Sequence, residues 1–152
     1  MWILWMNLAM ASTDSIEQVY EFQRRGQYTE AQELLDALVL EDGTPSIRFE
    51  WARNLELQGQ YEAALQVYNE LHTLRLAGEF GLNIAYRRGL MFSNLGQHKK
   101  AVQTLKRLRW RRLSARDRRG VRLALGAAEI QAGQTEKGIR RVEKILSQLE
   151  QP

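Results

Sequence analysis

The sequence predicts an all-α fold of about four consecutive helical hairpins, and three observations support this prediction. A Gly-Gln pair recurs at Gly26, Gly59, Gly96 and Gly133, with spacings of 33, 37 and 37 residues. Apolar residues return at fixed distances after each of these glycines. The chain contains only 2 prolines and is rich in Ala, Leu, Glu, Gln and Arg, which favour helices. Such a period indicates one helix–turn–helix unit used repeatedly.

The residues that follow each repeated glycine form one apolar stripe of a helix. Counted from the glycine, the fifth, ninth and twelfth positions share one side of an α-helix. The fifth is small and allows a neighbouring helix to approach, and one hairpin alone cannot bury the stripe, so the hairpins are expected to stack. The three positions are Ala31, Ala64, Ala101 and Gly138, then Leu35, Tyr68, Leu105 and Val142, then Leu38, Leu71, Leu108 and Ile145.

Local start and stop signals predict the first four helices. Residues 14–17 have the pattern of a capping box, and Asp42-Gly43 ends the second helix. Thr44 and Pro45 offer a capping side chain and a proline in the first turn of the third helix. The first helix is therefore predicted to end near residue 25, and the next three to cover about 29–41, 45–58 and 61–76.

The last four helices follow from similar signals. Gly78 and Gly81 mark a loose joint before the fifth helix, and the run from Ser114 to Asp117 resembles another helix cap. Each repeated glycine is predicted to end its helix in the left-handed conformation. The fifth and sixth helices are predicted at about 82–95 and 98–112, the seventh to end near 132, and the eighth at about 135–149.

The repeat pattern resembles a known family. Residues 59–68 match Gly-x-Tyr-x-x-Ala-x-x-x-Tyr, the core of the tetratricopeptide repeat, at every position, and Leu125-Gly126 looks like the Leu-Gly pair of its first helix. Gly89 stands at the same place one repeat earlier. The resemblance covers about residues 12–150 and implies a right-handed α-solenoid of about four stacked helix-turn-helix hairpins.

The sequence departs from the family pattern in three ways. The proline that usually closes each unit is missing, and two units are longer than the standard 34 residues. His98 and Thr135 replace the turn tyrosine. These changes affect the regularity of stacking more than the hairpins themselves. We expect a single domain over residues 12–152, with repeats at about 12–44, 45–81, 82–118 and 119–152.

Residues 1–11 form an apolar segment that contains Trp2 and Trp5. One interpretation is an ordered arm that packs on the first repeat, on a partner or on a second copy. Another is a secretory signal, although the basic start of such a signal is absent. A third is that translation begins at Met6 or Met10. The segment is too short to span a bilayer.

Composition argues against catalysis. The chain has no cysteine, which excludes a disulfide, a thiolate zinc site and a cysteine nucleophile and fits a reducing compartment. We therefore expect a cytoplasmic protein, or an exported one if residues 1–11 are the remnant of a signal segment. His72 and His98 are predicted to be structural or solvated, and the carboxylates to lie on helix surfaces. No phosphate-binding glycine loop, metalloprotease pattern or serine elbow is present. The prediction is a non-enzymatic protein with no cofactor and no metal.

Charge is distributed unevenly along the chain. Residues 1–80 contain 13 acids and 5 bases, a net charge of −8, and residues 81–152 contain 17 bases and 5 acids, a net charge of +12. The bases concentrate in residues 99–122, where Asp117 is the only acid and Trp110 stands among arginines. This segment is interpreted as a solvated face, a nucleic-acid or polyanion surface, or a surface for an acidic protein, including a second copy. The predicted basic patch is Lys99, Lys100, Lys106, Arg107, Arg111 and Arg112.

The resemblance implies that ligands bind on a concave face formed by the first helix of each hairpin. Aromatic rings beside arginines suit an extended peptide, because rings give contact area at low entropy cost and guanidinium groups bind carboxylates. The alternative is that some of these residues pack between hairpins. The family's clamp for terminal carboxylates is not reproduced, because Glu50 stands where an asparagine is expected. The repeat register places Tyr20, Phe49, Arg53, Tyr86, Arg87, Leu90 and Asn94 on this face.

The function predicted from the sequence is a scaffold or adaptor that binds an acidic peptide segment or partner protein and aids complex assembly. Two alternatives remain at this stage. The basic segment 99–122 could bind nucleic acid or another polyanion. The chain could also be a self-assembling structural protein, joined as a homo-oligomer through residues 1–11 or through charge complementarity between copies.

Overall fold

The computed structural model describes residues 15–109 and 113–148, and within these ranges the chain forms eight α-helices and no strand. The all-α prediction is therefore confirmed. Residues 1–11, Trp110, Arg111 and Arg112 lie outside the described residues. The helices are α1 at 15–24, α2 at Tyr28–Asp42, α3 at Pro45–Leu57, α4 at Tyr61–Thr73, α5 at Gly78–Asn94, α6 at His98–Lys106, α7 at Ala115–Gln131 and α8 at Thr135–Leu146.

The repeated glycines make the turns, as the sequence predicts. Their φ angles are all positive and lie between 71° and 84°, a region that costs any residue with a Cβ more than glycine. The amide of the following residue donates to a carbonyl five residues back, as from Gln60 to Leu55 at 2.9 Å and from Gln134 to Glu129 at 2.8 Å. This bond satisfies a carbonyl at the helix end. The glycines are Gly26, Gly59, Gly96 and Gly133.

Two predicted helix starts have the expected caps. The Thr44 hydroxyl accepts a hydrogen bond from the Ile47 amide at 3.4 Å, with Pro45 in the first turn. The Ser114 hydroxyl accepts from the Asp117 amide at 3.1 Å. Each cap satisfies an amide that has no partner within the helix, which stabilises a helix start by roughly 1 kcal/mol.

Several predicted helix boundaries are wrong around residues 73–82. α4 ends at Thr73, and α5 begins at Gly78 instead of near residue 82. Arg75 and Gly78 both have positive φ angles, and these residues interrupt the helical conformation between α4 and α5. Gly81 lies inside the first turn of α5, where a Cβ would be 1.9 Å from the Leu76 carbonyl oxygen. Gly81 therefore allows a close backbone approach and is not a loose joint.

The sixth helix is also shorter than predicted. α6 ends at Lys106, six residues before the expected end. Leu108 and Leu113, which follow it, are both buried in the same apolar cluster as Val121 and Leu125 of α7. Burial of both leucines removes their side chains from water, which stabilises the packing of this segment against α7.

The described residues divide into two compact units, the first ending at Val67 and the second beginning at Tyr68. Each described unit has its own apolar cluster, one built around Leu35 of α2 and the other around Leu105 of α6 and Leu125 of α7. Every position of the predicted apolar stripe is buried except Val142, which is half-buried. Across the described residues, no helix has the length and apolar character needed to cross a membrane.

The second unit contains an unusually close helix contact. A Cβ added to Gly138 of α8 would lie 2.5 Å from the carbonyl oxygen of Gly126 and 2.9 Å from the amide nitrogen of Ile130, both in α7. These are backbone atoms, and the Ile130 side chain is equally close, with its Cγ1 2.6 Å from the added Cβ. The fifth repeat position, which is predicted to be small, is thus occupied by the smallest residue at Gly138, where a Cβ has no room.

Candidate functional site

In the first unit, the predicted concave-face residues come from α1 and α3. The Glu50 carboxylate forms an ion pair with Arg53 at 2.7 Å and lies near enough to the Tyr20 hydroxyl to affect its pKa. Burial raises the pKa of the Tyr20 hydroxyl, and the Glu50 charge adds to the increase. Phe49 is half-buried beside them on α3. The Arg53 guanidinium therefore already has a carboxylate partner within its own helix.

A buried amide, which the sequence did not single out, supports this face. Asn54 is fully buried and donates to the Tyr28 carbonyl at 2.8 Å and to Gln32 Oε1 at 3.0 Å. Its own Oδ1 accepts from Gln23 Nε2 at 3.3 Å. These bonds tie α3 to α1 and α2. A buried amide without hydrogen-bond partners would destabilise the fold. The network therefore holds in place the part of α3 that carries Arg53.

In the second unit, the predicted residues all come from α5. Tyr86, Leu90 and Asn94 follow each other at four-residue intervals and so lie on one side of the helix. Tyr86 and Leu90 are half-buried, as is Arg87, and Asn94 is exposed. The side chains therefore range from a packed tyrosine to a solvated amide along one helix face.

Tyr86 packs towards α7. Its side chain contacts the apolar cluster of the second unit, and its hydroxyl oxygen lies 3.3 Å from the position that a Cβ on Gly120 would occupy. The absence of a side chain at Gly120 leaves room for the tyrosine. Tyr86 thus combines packing between first helices of adjacent hairpins with a partly accessible ring.

The basic patch is exposed where the structure describes it. Lys99, Lys100, Lys106 and Arg107 are all exposed on or just after α6. The Lys100 ammonium lies 5.8 Å from the centre of the Phe92 ring and donates to Gln97 at 2.9 Å. The remaining patch residues, Arg111 and Arg112, and the nearby Trp110 lie outside the described residues.

One carboxylate contradicts the prediction that acidic residues lie on helix surfaces. Glu129 of α7 is fully buried and accepts hydrogen bonds from Arg141 Nε at 2.8 Å and Nη2 at 3.2 Å. Lys137 Nζ lies 3.1 Å from Glu129 Oε1, and Lys106 Nζ lies 3.9 Å away. The glutamate therefore joins α6, α7 and α8.

Two opposing effects act on the pKa of Glu129. Burial removes water and raises the pKa, but the hydrogen bonds and positive charges of Arg141 and Lys137 outweigh it, so the pKa lies below its ordinary value. The carboxylate is thus held in its charged form. The carboxylate is buried, whereas the Lys106 and Lys137 side chains are exposed. The cluster has more positive than negative charge, and removing one partner of such a buried pair is strongly destabilising.

The repeat register contains a signal that could have revealed Glu129. It stands four residues before the turn glycine Gly133, and the equivalent positions of the other repeats are Phe22, Leu55 and Phe92. A charged residue at a position that is otherwise apolar predicts a buried, paired charge. The partners themselves give no local signal, since Arg141 lies 12 residues further along the chain.

The two histidines are not brought together in one site. His98 is half-buried at the start of α6, and its Nδ1 has no hydrogen-bond partner among the described residues. The pKa of His72 is lowered, first by partial burial and then by the charge of Arg88. In residues 15–109 and 113–148, no group of three or more His, Asp or Glu side chains is arranged to hold a metal.

Comparisons with known proteins agree with this architecture. The family model described as "Tetratricopeptide repeat" matches residues 85–111, which cover most of α5 and all of α6. Among curated proteins, none matches this sequence.

Solved structures with a similar fold cover most of the chain. MamA 41-end from Desulfovibrio magneticus RS-1 is 24% identical with a TM-score of 0.72, over 89% of this chain and 73% of that one. Nearly identical TPR-like repeats from Podosopora anserina are 19% identical with a TM-score of 0.77, over 89% and 73%. A tetratricopeptide repeat protein from Parabacteroides merdae ATCC 43184 is 19% identical with a TM-score of 0.69, over 92% and 54%. The chain thus contains a tetratricopeptide repeat, and its helical hairpins have the fold of tetratricopeptide-repeat proteins.

Proposed function

We propose that this protein is a non-enzymatic scaffold that binds a segment of a partner protein through the first helices of its hairpins and so helps to assemble a complex. The tetratricopeptide-repeat fold supports a role in protein–protein interaction. The observation that carries the proposal is the side of α5 on which Tyr86, Leu90 and Asn94 follow one another, with Arg87 beside them.

The geometry favours α5 as the centre of binding. In the first unit the guanidinium of Arg53 is occupied by Glu50 at 2.7 Å, so a carboxylate ligand would have to compete with an existing ion pair. In the second half of the chain, 17 bases against 5 acids create a field that attracts an acidic segment. Because the helices are already folded, binding orders the ligand more than the receptor.

The test is the double variant Tyr86→Ala with Arg87→Ala. We expect capture of protein partners from a native lysate to fall roughly 30-fold, since removing one aromatic or arginine hot spot costs about 2 kcal/mol. Helical content measured by circular dichroism should stay near the wild-type value. The measurement is quantitative pull-down with the purified full chain.

A matched control distinguishes the loss of a binding site from a general effect of removing one tyrosine and one arginine side chain. Tyr61→Ala with Arg140→Ala removes the same residue types from the second helices α4 and α8, outside the predicted face, and capture should be unchanged. Equal capture by wild type and by the Tyr86/Arg87 variant would place the binding site elsewhere.

A second candidate function is binding of nucleic acid or another polyanion by the basic segment. It is favoured by one observation: Lys99, Arg107, Arg109, Arg116 and Arg118 are exposed, and within the described ranges none has a carboxylate partner. Phosphate contacts of this kind give affinity without sequence readout.

For this candidate, Lys99→Gln with Lys100→Gln should weaken binding to single-stranded RNA and lower the slope of log affinity against log salt by about 1 for each lost phosphate contact. Fluorescence anisotropy at several salt concentrations measures both quantities. Binding that does not change between low and high salt, or an unchanged slope in the variant, would contradict polyanion recognition.

A further inference from the structure

The second unit contains a groove lined by arginines, away from the α5 residues assigned to partner binding. Two adjoining cavities of about 740 Å³ and about 500 Å³ share His72, Leu76, Gly81 and Arg109 in their walls. They lie between the end of α4, the first half of α5 and the end of α6. We call this feature the arginine groove; its cationic side chains are Arg75, Arg88, Arg107 and Arg109.

The floor of the arginine groove is apolar. Leu71 and Ile84 line the larger cavity, and Leu82 and Leu108 line the smaller one. Among the described residues, no Asp, Glu, Phe, Tyr or Trp side chain lines either cavity, and the His72 imidazole lies in the wall of both. A floor of leucine and isoleucine side chains does not suit single-stranded nucleic acid, which stacks its bases on aromatic rings. Apolar contacts flanked by cations suit an acidic protein surface with an exposed aliphatic side chain.

Arg88 shows that the groove lacks a counter-charge. Its side chain is half-buried, and its Nε donates to the neutral Asn69 Oδ1 at 2.8 Å. No carboxylate of the described residues forms an ion pair with it. A partly desolvated charge without an opposite charge is unfavourable, and burial accordingly lowers the pKa of Arg88. A carboxylate delivered to the groove would compensate it.

The first unit carries a surface with the complementary chemistry. Glu33, Ala37, Leu40 and Glu41 are exposed on one side of α2, which contains no basic residue. Leu40 is 89% exposed, more than any other large apolar side chain among the described residues. Glu33 and Glu41 have no ion-pair partner within the described ranges. They stand eight residues apart, or about 12 Å along the helix, on either side of Leu40.

We propose that the arginine groove of one copy binds this acidic face of α2 from a second copy. Leu40 contacts the apolar floor, and Glu33 and Glu41 supply the carboxylates that Arg88 and its neighbouring arginines lack. The opposite net charges of residues 1–80 and 81–152, −8 and +12, favour this pairing over contact between like surfaces. Because the two contacting surfaces differ, the contact is heterologous, and copies add head to tail as a ring where the rotation closes and as an open filament where it does not.

The experiment uses two variants of the full chain. The groove variant carries Arg88→Gln with Arg107→Gln, and the face variant carries Leu40→Gln with Glu41→Gln. The face variant changes only exposed residues, and glutamine at position 88 can still donate to Asn69, so both should fold as the wild type does. Sedimentation velocity is measured over a range of concentrations, before and after nuclease treatment and at low and high salt.

We expect wild type to associate as concentration rises and to dissociate at high salt, since salt screens charge pairs at the rim of an interface. Each variant alone should associate at least roughly tenfold more weakly. An equimolar mixture should form a one-to-one dimer, because the groove variant keeps an intact α2 face and the face variant keeps an intact groove. Leu146→Gln with Glu143→Gln, which alters an exposed leucine and glutamate on α8, serves as the matched control and should associate like wild type.

Three results would overturn the proposal. Wild type could remain monomeric at all concentrations at low salt, or its association could disappear once nuclease is added, which would assign the groove to a polyanion. The mixture of the two variants could also contain no dimer. Because capture of other partners by Tyr86 and Arg87 is measured separately, failure here leaves the scaffold proposal in place.

Discussion

The variant Glu129→Gln is expected to lower the free energy of unfolding of the second unit by roughly 3 kcal/mol, because breaking a buried ion pair on one side leaves uncompensated charge. Glutamine keeps the size of the side chain and removes only its charge. Arg141, whose side chain is 22% exposed, then faces a neutral amide in place of the Glu129 carboxylate. Lys106 and Lys137 are more exposed, at 42% and 46%, so they can turn towards water. Thermal and urea denaturation measure the effect.

A double substitution separates charge pairing from packing. Phe22, Leu55 and Phe92 occupy the position of Glu129 in the other repeats, so an apolar residue fits this place in a hairpin. Glu129→Leu with Arg141→Leu removes the carboxylate and its bidentate partner together. It should restore most of the stability that Glu129→Gln loses, since apolar replacement of a whole buried pair is often neutral. A double variant as unstable as Glu129→Gln would assign the loss to packing.

The same carboxylate predicts a pH dependence. The pKa of Glu129 in the folded chain lies below its ordinary value, because burial, which raises it, is outweighed by the hydrogen bonds and positive charges of Arg141 and Lys137 together. The stabilisation is therefore fully present above the ordinary glutamate pKa of about 4.3. It decreases as the pH falls through the lower pKa of the folded state, where the carboxylate takes up a proton. The stability difference between wild type and Glu129→Gln should be constant near neutral pH and shrink in acid.

Replacing Gly138 with alanine is expected to destabilise the second unit by roughly 2 kcal/mol, although alanine occupies the equivalent place in the other three repeats. Alanine favours the helical state over glycine by about 1 kcal/mol. This gain is outweighed, because the added Cβ would lie 2.5 Å from the Gly126 carbonyl oxygen and 2.9 Å from the Ile130 amide nitrogen. Backbone atoms cannot rotate away, so α7 and α8 must separate. Urea denaturation, with the unfolding transition of the second unit fitted to a two-state model, measures the change in its free energy of unfolding.

Gly120→Ala provides the control for this prediction. It places the same methyl group in the interior of α7, but the nearest atom is the Tyr86 hydroxyl oxygen at 3.3 Å, the far end of a side chain that can shift. Its stability should stay within about 1 kcal/mol of wild type, since helix propensity and mild crowding oppose each other. Gly138→Ala behaving like Gly120→Ala would mean that α7 and α8 are not in backbone contact in solution.

Much of the fold could be predicted from the sequence because its strongest signals are local. The left-handed turns at the repeated glycines and the caps at Thr44 and Ser114 depend on a few neighbouring residues. Helix ends were less predictable. α6 stops at Lys106, and no pattern within α6 indicates that Leu113 is then buried in one cluster with Val121 and Leu125 of α7.

The candidate site was predicted less completely than the fold. The repeat register placed Tyr20, Arg53 and Tyr86 on first helices, and the structure has them there. It did not predict that Arg53 would be neutralised by Glu50. Nor did it predict that Gly120 would make room for Tyr86. Whether a side chain is available to a ligand depends on its neighbours in space.

Residue types and their spacing were thus sufficient to establish the kind of fold: repeated glycines specify turns, and an apolar stripe specifies which side of each helix is buried. The remaining features depend on how the helices pack together. The charge state and burial of Glu129 depend on cations from α6 and α8, and the arginine groove exists only where three helices and their connections meet. The physical reason is range: backbone conformation responds to adjacent residues, whereas desolvation and ion pairing respond to every group that the folded chain brings within a few ångströms.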